Sequence, residues 1–350
     1  MKKFISIILC FALLVMCVAC GSKTETPSGS TTGNKASAEK VTLKMSVAQP
    51  EEHQASQAAR MFAEKVAEKS GGSLDVKIYY ANSLGAQDVL VQGMMDGSVD
   101  LVLEFIDASY NQKLDITNLP FIATTYKELE YLYSEGSNLY KILKDGFAEF
   151  GLHMLGVFIE GSSGLSCSQY VEGYNDYTVR KPLPIRTWNS SIAVAAWDAL
   201  GYNTVTMTWS DVYSSIQTGI VYGSTGQTAQ GVHINLRDVV NYYIPYNYGP
   251  EQVHLNMSEV TWKKLSAEQQ AAVQAAADET FDYVFENLPE MEQAGYDMLA
   301  EDGIEVLPLT DAELSNLANH VRDVVWDSQS DVFGADALQL LRDDLASVSN

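Results

Sequence analysis

Beyond residue 40 the spacing of apolar positions switches repeatedly between two residues and three or four. "VTLKMSVA" predicts a strand, and "HQASQAARMFAEKVAEKSGG" an amphipathic helix with Ala55, Ala59, Phe62 and Val66 on one face and Gly71 as its stop. "LDVKIYY" alternates as a strand does, "AQDVLVQGMMDG" returns to the helical period, and "SVDLVLEF" is a strand again. A helix near "YKELEYLYSEG" and the strand "LHMLGVFI" extend the alternation. Strand and helix in turn predict a mainly parallel sheet with helices on both faces.

A second unit of the same kind follows. "LPIRTW" is a strand, "SIAVAAWDALG" a helix ending at Gly201, and "NTVTMT" a strand. "SDVYSSIQTG" is a helix capped by Ser210, with Asp211 in its first turn. A long helical tract starts at Ser258. Within it Ser266 and Gln269 have the spacing of a capping box, and Pro289 is placed to kink it. After the strand "IEVLPL", "TDAE" is a further capping box that opens the C-terminal helices. The economical architecture is α/β, with two lobes joined by crossing segments and the long helix packed across both. The expected division gives residues 41–164 and 252–288 to lobe one, and 165–251 and 289–350 to lobe two.

The N-terminus departs from this pattern. "MKK" followed by "FISIILCFALLVMCVA" is a charged start and an apolar run too short to span a bilayer comfortably. With Ala19 before Cys20, it resembles a bacterial lipoprotein signal: residues 1–19 removed and Cys20 lipidated. An ordinary secretory signal cut nearby is the alternative, and either places the mature protein outside the cytoplasm. Residues 20–40 are Gly/Ser/Thr/Lys-rich and read as a flexible tether to the cell membrane. Of four cysteines, Cys10 and Cys17 leave with the signal and Cys20 takes the lipid. Cys167 is left without a disulfide partner, as a small core or strand residue.

Charge narrows the partners. A formal net charge of −23 over 350 residues argues against nucleic acid and against anionic lipid, both of which need clustered Lys and Arg. An anionic ligand would therefore need a local positive site. Catalytic patterns are missing. There is no G-x-S-x-G elbow, the five histidines are scattered without metal-ligand spacing, and "YGSTGQ" lacks the lysine of a phosphate loop. Neither an enzyme nor a cofactor or metal site is expected.

Arg186, in the strand "PLPIRTWNSS", stands out. A guanidinium entering a core is costly unless something negative meets it, and the stretch holds no acid. Its planar fork suits a carboxylate; Asn189 could add an amide hydrogen bond, and Trp188 and Trp209 could supply flat walls. From the residues alone, an internal Asp or Glu is an equal candidate for the partner.

The order and spacing of longer stretches resemble a known family, the extracytoplasmic solute-binding proteins of TRAP transporters. They are "AARMFAEKVAEKSGGSLDVKIYYANSLGAQ", "MMDGSVDL", "NLPFI", "LPIRTWNSS", "ALGYNTVTMTWSDVYSSIQTGIVYG" and "TWKKLSAEQQAAVQAAADE". The resemblance implies a two-lobe periplasmic-binding-protein-like fold of class II type, with a hinge helix like the tract from Ser258 to Asp302. It also implies that Arg186 grips the carboxylate of a small organic acid, which membrane permease subunits then receive. It places Asn189 and the aromatic Trp209 in the pocket, with Gln87, Phe105 and the small Ala48 lining the cleft from the first lobe. After "QTGIV" the family's Asp-Gly-Gln-Glu-Asn is replaced by "YGSTG". Tyr222 and Gly226 then stand where the Asp and a ligand-contacting Asn would be, with Thr225 offering a hydroxyl. Arg180, in a lengthened approach to the motif, could reach inward or face solvent. The rival readings are a binding subunit of another transporter or of a sensor, and an extracellular hydrolase on a similar scaffold.

Overall fold

The computed structural model of the chain describes residues 40–106 and 108–348; the signal-like segment, Cys20 and all of the tether except Lys40 lie outside the described residues. The strands in chain order are β1 Val41–Val47, β2 Leu74–Tyr79, β3 Leu101–Glu104, β4 Leu152–Ser162, β5 Gly164–Cys167, β6 Pro184–Thr187, β7 Asn203–Thr206, β8 Gly223–Gln227, β9 Tyr242–Ile244, β10 Pro250–Ser258 and β11 Glu305–Val306. They form two sheets, ordered β2-β1-β3-β10-β4 and β11-β9-β5-β8-β6-β7.

The sheets are mixed, which corrects the expectation of mainly parallel ones. β1 runs parallel to β2 and β3, and β6 parallel to β7 and β8. However, β10 is antiparallel to both β3 and β4, and β5 is antiparallel to β8 and β9. The cause is the connection between lobes. β4 leaves the first sheet and continues as β5 of the second after the single residue Ser163, and β10 returns beside it. Two strands crossing the same gap in opposite senses pair antiparallel. The pairing holds through the crossing itself, where Ser163 N–H donates to the Gly249 carbonyl (2.9 Å) and Tyr248 N–H to the Ser163 carbonyl (3.0 Å).

The long helix Ala267–Glu301 has 35 residues, about 50 Å of length. Its Ser266/Gln269 capping box forms as expected, and so does the Thr310/Glu313 box. Val273, Ala276, Ala277 and Phe281 pack with the first sheet's Leu43, Met45 and Leu255, whereas Leu299 joins Val212, Val232 and Tyr243 of the second lobe. One helix therefore ties both cores. It approaches β4 closely because residue 156 is glycine: a Cβ there would lie 2.5 Å from the Phe281 ring. The helix runs on through Pro289 as one element.

Two details differ from the sequence reading. Ser210 does not cap a helix; the chain first makes a 3-10 turn, Trp209–Asp211, and Val212–Gln217 follows without a side-chain cap. The Thr208 hydroxyl donates to the Asp211 carboxylate (2.8 Å) and pairs with Ser210, which occupies the group that would have served as cap. The last helix, Ala335–Val348, belongs with the first lobe rather than the second. Leu338, Leu341 and Leu345 enter the core of Leu114, Leu129, Leu139 and Leu143. The Asp344 carboxylate then caps the helix Asn138–Ala148, accepting from Asn138 N–H (2.9 Å) and Leu139 N–H (3.3 Å). Cys167 is a buried free thiol on β5, raised in pKa by that burial.

Candidate functional site

A cavity of about 390 Å³ opens where the crossing strands meet the two sheets. The first lobe contributes Gln49, Phe105 and the turn 117–119, and the second Arg186, Trp188, Trp209, Gly226 and Gln227. The crossing strands themselves supply Glu160, Ser163 and residues 248–253.

Arg186 is near the end of β6, in register with Val205 of β7 and Ser224 of β8. Ligand crevices in open α/β sheets form outside the carboxyl ends of parallel strands, and β6 delivers its side chain there. The residue is only 6% exposed. Nε donates to the Met207 carbonyl (3.1 Å), Nη1 reaches the Thr225 carbonyl (3.5 Å), and the guanidinium carbon is 5.6 Å from the Trp209 ring centre. Among the described residues no carboxylate lies within 4.0 Å of it. Burial lowers its pKa, yet a guanidinium stays charged at any physiological pH. The positive charge is thus desolvated and met by carbonyl oxygens and the Trp209 ring, with no carboxylate beside it among the described residues.

Trp188 is held by its neighbours. Its ring meets Tyr248 edge-on (5.7 Å, 89°), and Tyr248 stacks on Trp197 (5.3 Å, 8°). Gly226 occupies the bulge where β8 slips past β5, at φ +82°, a conformation that favours glycine. A Cβ at that position would come within 3.1 Å of the Trp188 ring, so the glycine serves both the bulge and the indole. Phe105 completes the opposite wall, packed 5.6 Å from His254. Burial drops the pKa of His254 to about 3, leaving it a neutral ring in the core.

Five of the residues singled out from the sequence therefore meet in one cavity: Phe105, Arg186, Trp188, Trp209 and Gly226. Four lie off its wall. Gln87 starts the helix Gln87–Asp96 and spends its amide on the Phe105 carbonyl (2.5 Å). Thr225 is fully buried; its hydroxyl faces Thr187 (3.3 Å), and only its carbonyl bears on the site, through Arg186. Asn189 is exposed beyond the strand end, and Ala48 yields its place on the wall to Gln49. Arg180 faces solvent, paired with Asp198 at 2.9 Å.

Sequence reasoning missed the acids. Glu160 and Glu251 both line the cavity, from β4 and β10. A bulge separates the pairs Gly161↔Glu251 and Ile159↔Gln252, leaving Glu160 as the unpaired residue. Burial, with the neighbouring Glu251 charge second, pushes the Glu160 carboxyl up to about 8; burial alone pushes Glu251 up to about 7. One Glu160 oxygen is buried without a hydrogen bond. It lies 3.9 Å from Nδ1 of His53, whose lone pair already accepts the Ala55 N–H. The available signal was an acid at the end of the apolar run "LGVFIE", where a strand leaves its sheet.

Several known proteins are similar to this chain in sequence and in fold. A solute-binding protein of Roseobacter denitrificans is 26% identical over 306 residues, covering 82% of this chain and 90% of its own. The 2,3-diketo-L-gulonate-binding periplasmic protein of Escherichia coli is 26% identical over 290 residues, covering 76% and 81%. In fold, the chain matches the crystal structure of a TRAP periplasmic solute-binding protein from Ochrobactrum anthropi with a TM-score of 0.80. That match has 24% identity and covers 89% of this chain and 97% of that one. Over residues 45–331 the sequence matches the family described as bacterial extracellular solute-binding protein, family 7 (DctP). The chain belongs to that family and is a TRAP-type solute-binding protein that works outside the cytoplasm.

Proposed function

We propose that this protein captures a small organic acid between its lobes, with Arg186 taking the carboxylate, and presents it to TRAP membrane subunits while tethered through a lipid on Cys20. The observation that carries the reading is Arg186 itself, 6% exposed, on the cavity wall and met by carbonyl oxygens and the Trp209 ring without a carboxylate. A bidentate carboxylate would replace lost solvation with two charge-assisted hydrogen bonds. That the Escherichia coli relative is named for binding a sugar acid supports the same class of ligand. Trp188 and Trp209 would bound the ligand laterally and Phe105 would close it from the first lobe. Gln87 would act by fixing the Phe105 backbone and Thr225 by orienting Arg186. Asn189 would come into play only as the lobes approach, and Ala48 would leave room beside Gln49.

A thermal-shift panel of sugar acids, 2-oxo acids, 2-hydroxy acids and amino acids on the purified protein tests this, with Arg186→Ala in parallel. A ligand at a hundred times its Kd adds about 2.7 kcal/mol of stability. A shift with one acid that disappears in Arg186→Ala is the expected result. Equal shifts in both proteins would remove Arg186 from the site. For the anchor, Cys20→Ser is expected to release the protein from the membrane fraction; membrane retention by the variant would refute the lipid.

A further inference from the structure

The cavity contains an imbalance that a simple carboxylate does not correct. It places one guanidinium, Arg186, against two carboxyl groups, Glu160 and Glu251. No Lys or Arg among the described residues comes within 4.0 Å of either acid. The nearest ring nitrogen to Glu160 is an acceptor already in use, so it offers no proton. The acids and the guanidinium also do not pair with one another. Arg186 comes from β6 in the second lobe, whereas the acids sit on the crossing strands, and no ion pair joins them. Opposite charges held apart on the wall of one cavity match a ligand that carries opposite charges at its two ends.

We infer that the ligand is a zwitterion, with a carboxylate on Arg186 and a positively charged nitrogen, an ammonium or amidinium, on Glu160 and Glu251. This rests on the carboxylate reading above and extends it to the other end of the ligand. Counting charge makes the case. At pH 7.5 the Glu251 carboxylate offsets Arg186 while Glu160 largely keeps its proton, so the cavity wall is near neutral, and a carboxylate ligand takes it to −1 in a partly desolvated space, where an uncompensated charge is costly. A ligand cation cancels that charge and supplies N–H donors to oxygens that lack them, including the buried Glu160 oxygen. Trp188, Trp209 and Phe105 add ring faces that favour a cation over a neutral hydroxyl. Protonation of both acids is the competing way to balance the site, and it would suit a hydroxylated sugar acid instead.

Matched pairs differing only in that nitrogen separate the two. We would titrate the purified protein at pH 7.5 by calorimetry with L-proline against tetrahydrofuran-2-carboxylate, and with 4-aminobutyrate and 5-aminopentanoate against their hydroxy counterparts. The same titrations would be run on Glu251→Gln, and with 2,3-diketo-L-gulonate as a sugar acid. The amino member of at least one pair is expected to bind ten-fold or more tightly than its partner. Glu251→Gln should weaken that amino acid ten-fold or more while tightening its hydroxy counterpart, a reversal that misfolding cannot mimic. Hydroxy or sugar acids binding more tightly than every amino acid would overturn the inference and leave the carboxylate reading standing. So would tight hydroxy-acid binding that requires added Na+ or Ca2+, since a metal ion would then be the missing cation. Binding of no acid in any series would overturn both readings.

Discussion

Replacing Glu251 by glutamine should stabilise the unliganded protein at pH 8 and leave it unchanged at pH 4.5. In the folded chain burial holds the Glu251 proton up to about pH 7, whereas an unfolded glutamate gives it up near 4.5. Between those two values the folded state binds more protons than the unfolded state. Stability therefore falls as pH rises through the window, is fully retained below 4.5, and stops falling above 7. The difference in proton affinity corresponds to about 3 kcal/mol. Water reaching the carboxyl through the cavity screens part of it, so about 2 kcal/mol is expected. Glutamine, neutral throughout, should escape the loss.

Other groups titrate in the same range, and His254 acts in the opposite sense: its pKa of about 3 means that the folded state gains stability as pH rises from 3 to 6.5. Taking the difference between wild type and variant cancels such terms. Urea denaturation of both proteins at pH 4.5, 6, 7 and 8 gives that difference directly. Curves that run parallel across the range would refute the reasoning, because Glu251 would then be as solvated in the folded chain as in the unfolded one. The Glu251 charge adds to the upward shift at Glu160, so the double variant should gain less than the sum of the two single variants.

Three substitutions probe the frame around the site. Gly226→Ala forces a side chain into φ +82° and to 3.1 Å from Trp188, and should cost about 1–3 kcal/mol in denaturation together with a loss of acid affinity in calorimetry. Gly156→Ala places a methyl 2.5 Å from the Phe281 ring, and overpacking of about 1–3 kcal/mol should appear as a lower thermal midpoint, with no change only if the long helix shifts freely. Asp344→Ala removes the cap on Asn138 and Leu139 and should cost about 1 kcal/mol, read by urea denaturation; a neutral result would mean that water satisfies those two N–H groups as well as the carboxylate does.

How much of this was legible depends on which physical rule governed each residue. Arg186 was visible because a lone cation in an apolar strand breaks a local rule, and such breaks mark sites. The long helix was visible through its capping box and period. The mixed sheets were not, because the direction of β10 is set by where the chain must return rather than by its spacing of apolar residues. β10 also disguises itself: Val253, Leu255 and Met257 alternate with Gln252, His254 and Asn256, the pattern of a half-exposed strand, yet the strand lies between β3 and β4 and is buried on both faces. With β10 unread, Glu251 had no place in the argument. Gly226 was legible as a departure, but its use, making room for Trp188, depends on a contact between β8 and the loop after β6 that no local pattern encodes.

On the proposed reading, the placement of charge would have a ligand touch more than one lobe. β6 alone brings Arg186, with Trp188 just beyond its end, so the second lobe by itself can hold an anion against one aromatic wall. The first lobe alone brings Phe105 and Gln49, which offer cover and little charge. The acids belong to neither lobe's interior; they ride on β4 and β10 where those strands cross, next to the backbone pairing of Ser163 with Tyr248 and Gly249. A ligand that touches Arg186 and the acids together therefore bridges the second lobe and the crossing strands, and Phe105 then meets it from the far side. Differential contact of this kind is what allows a ligand to favour one relative arrangement of two lobes over another.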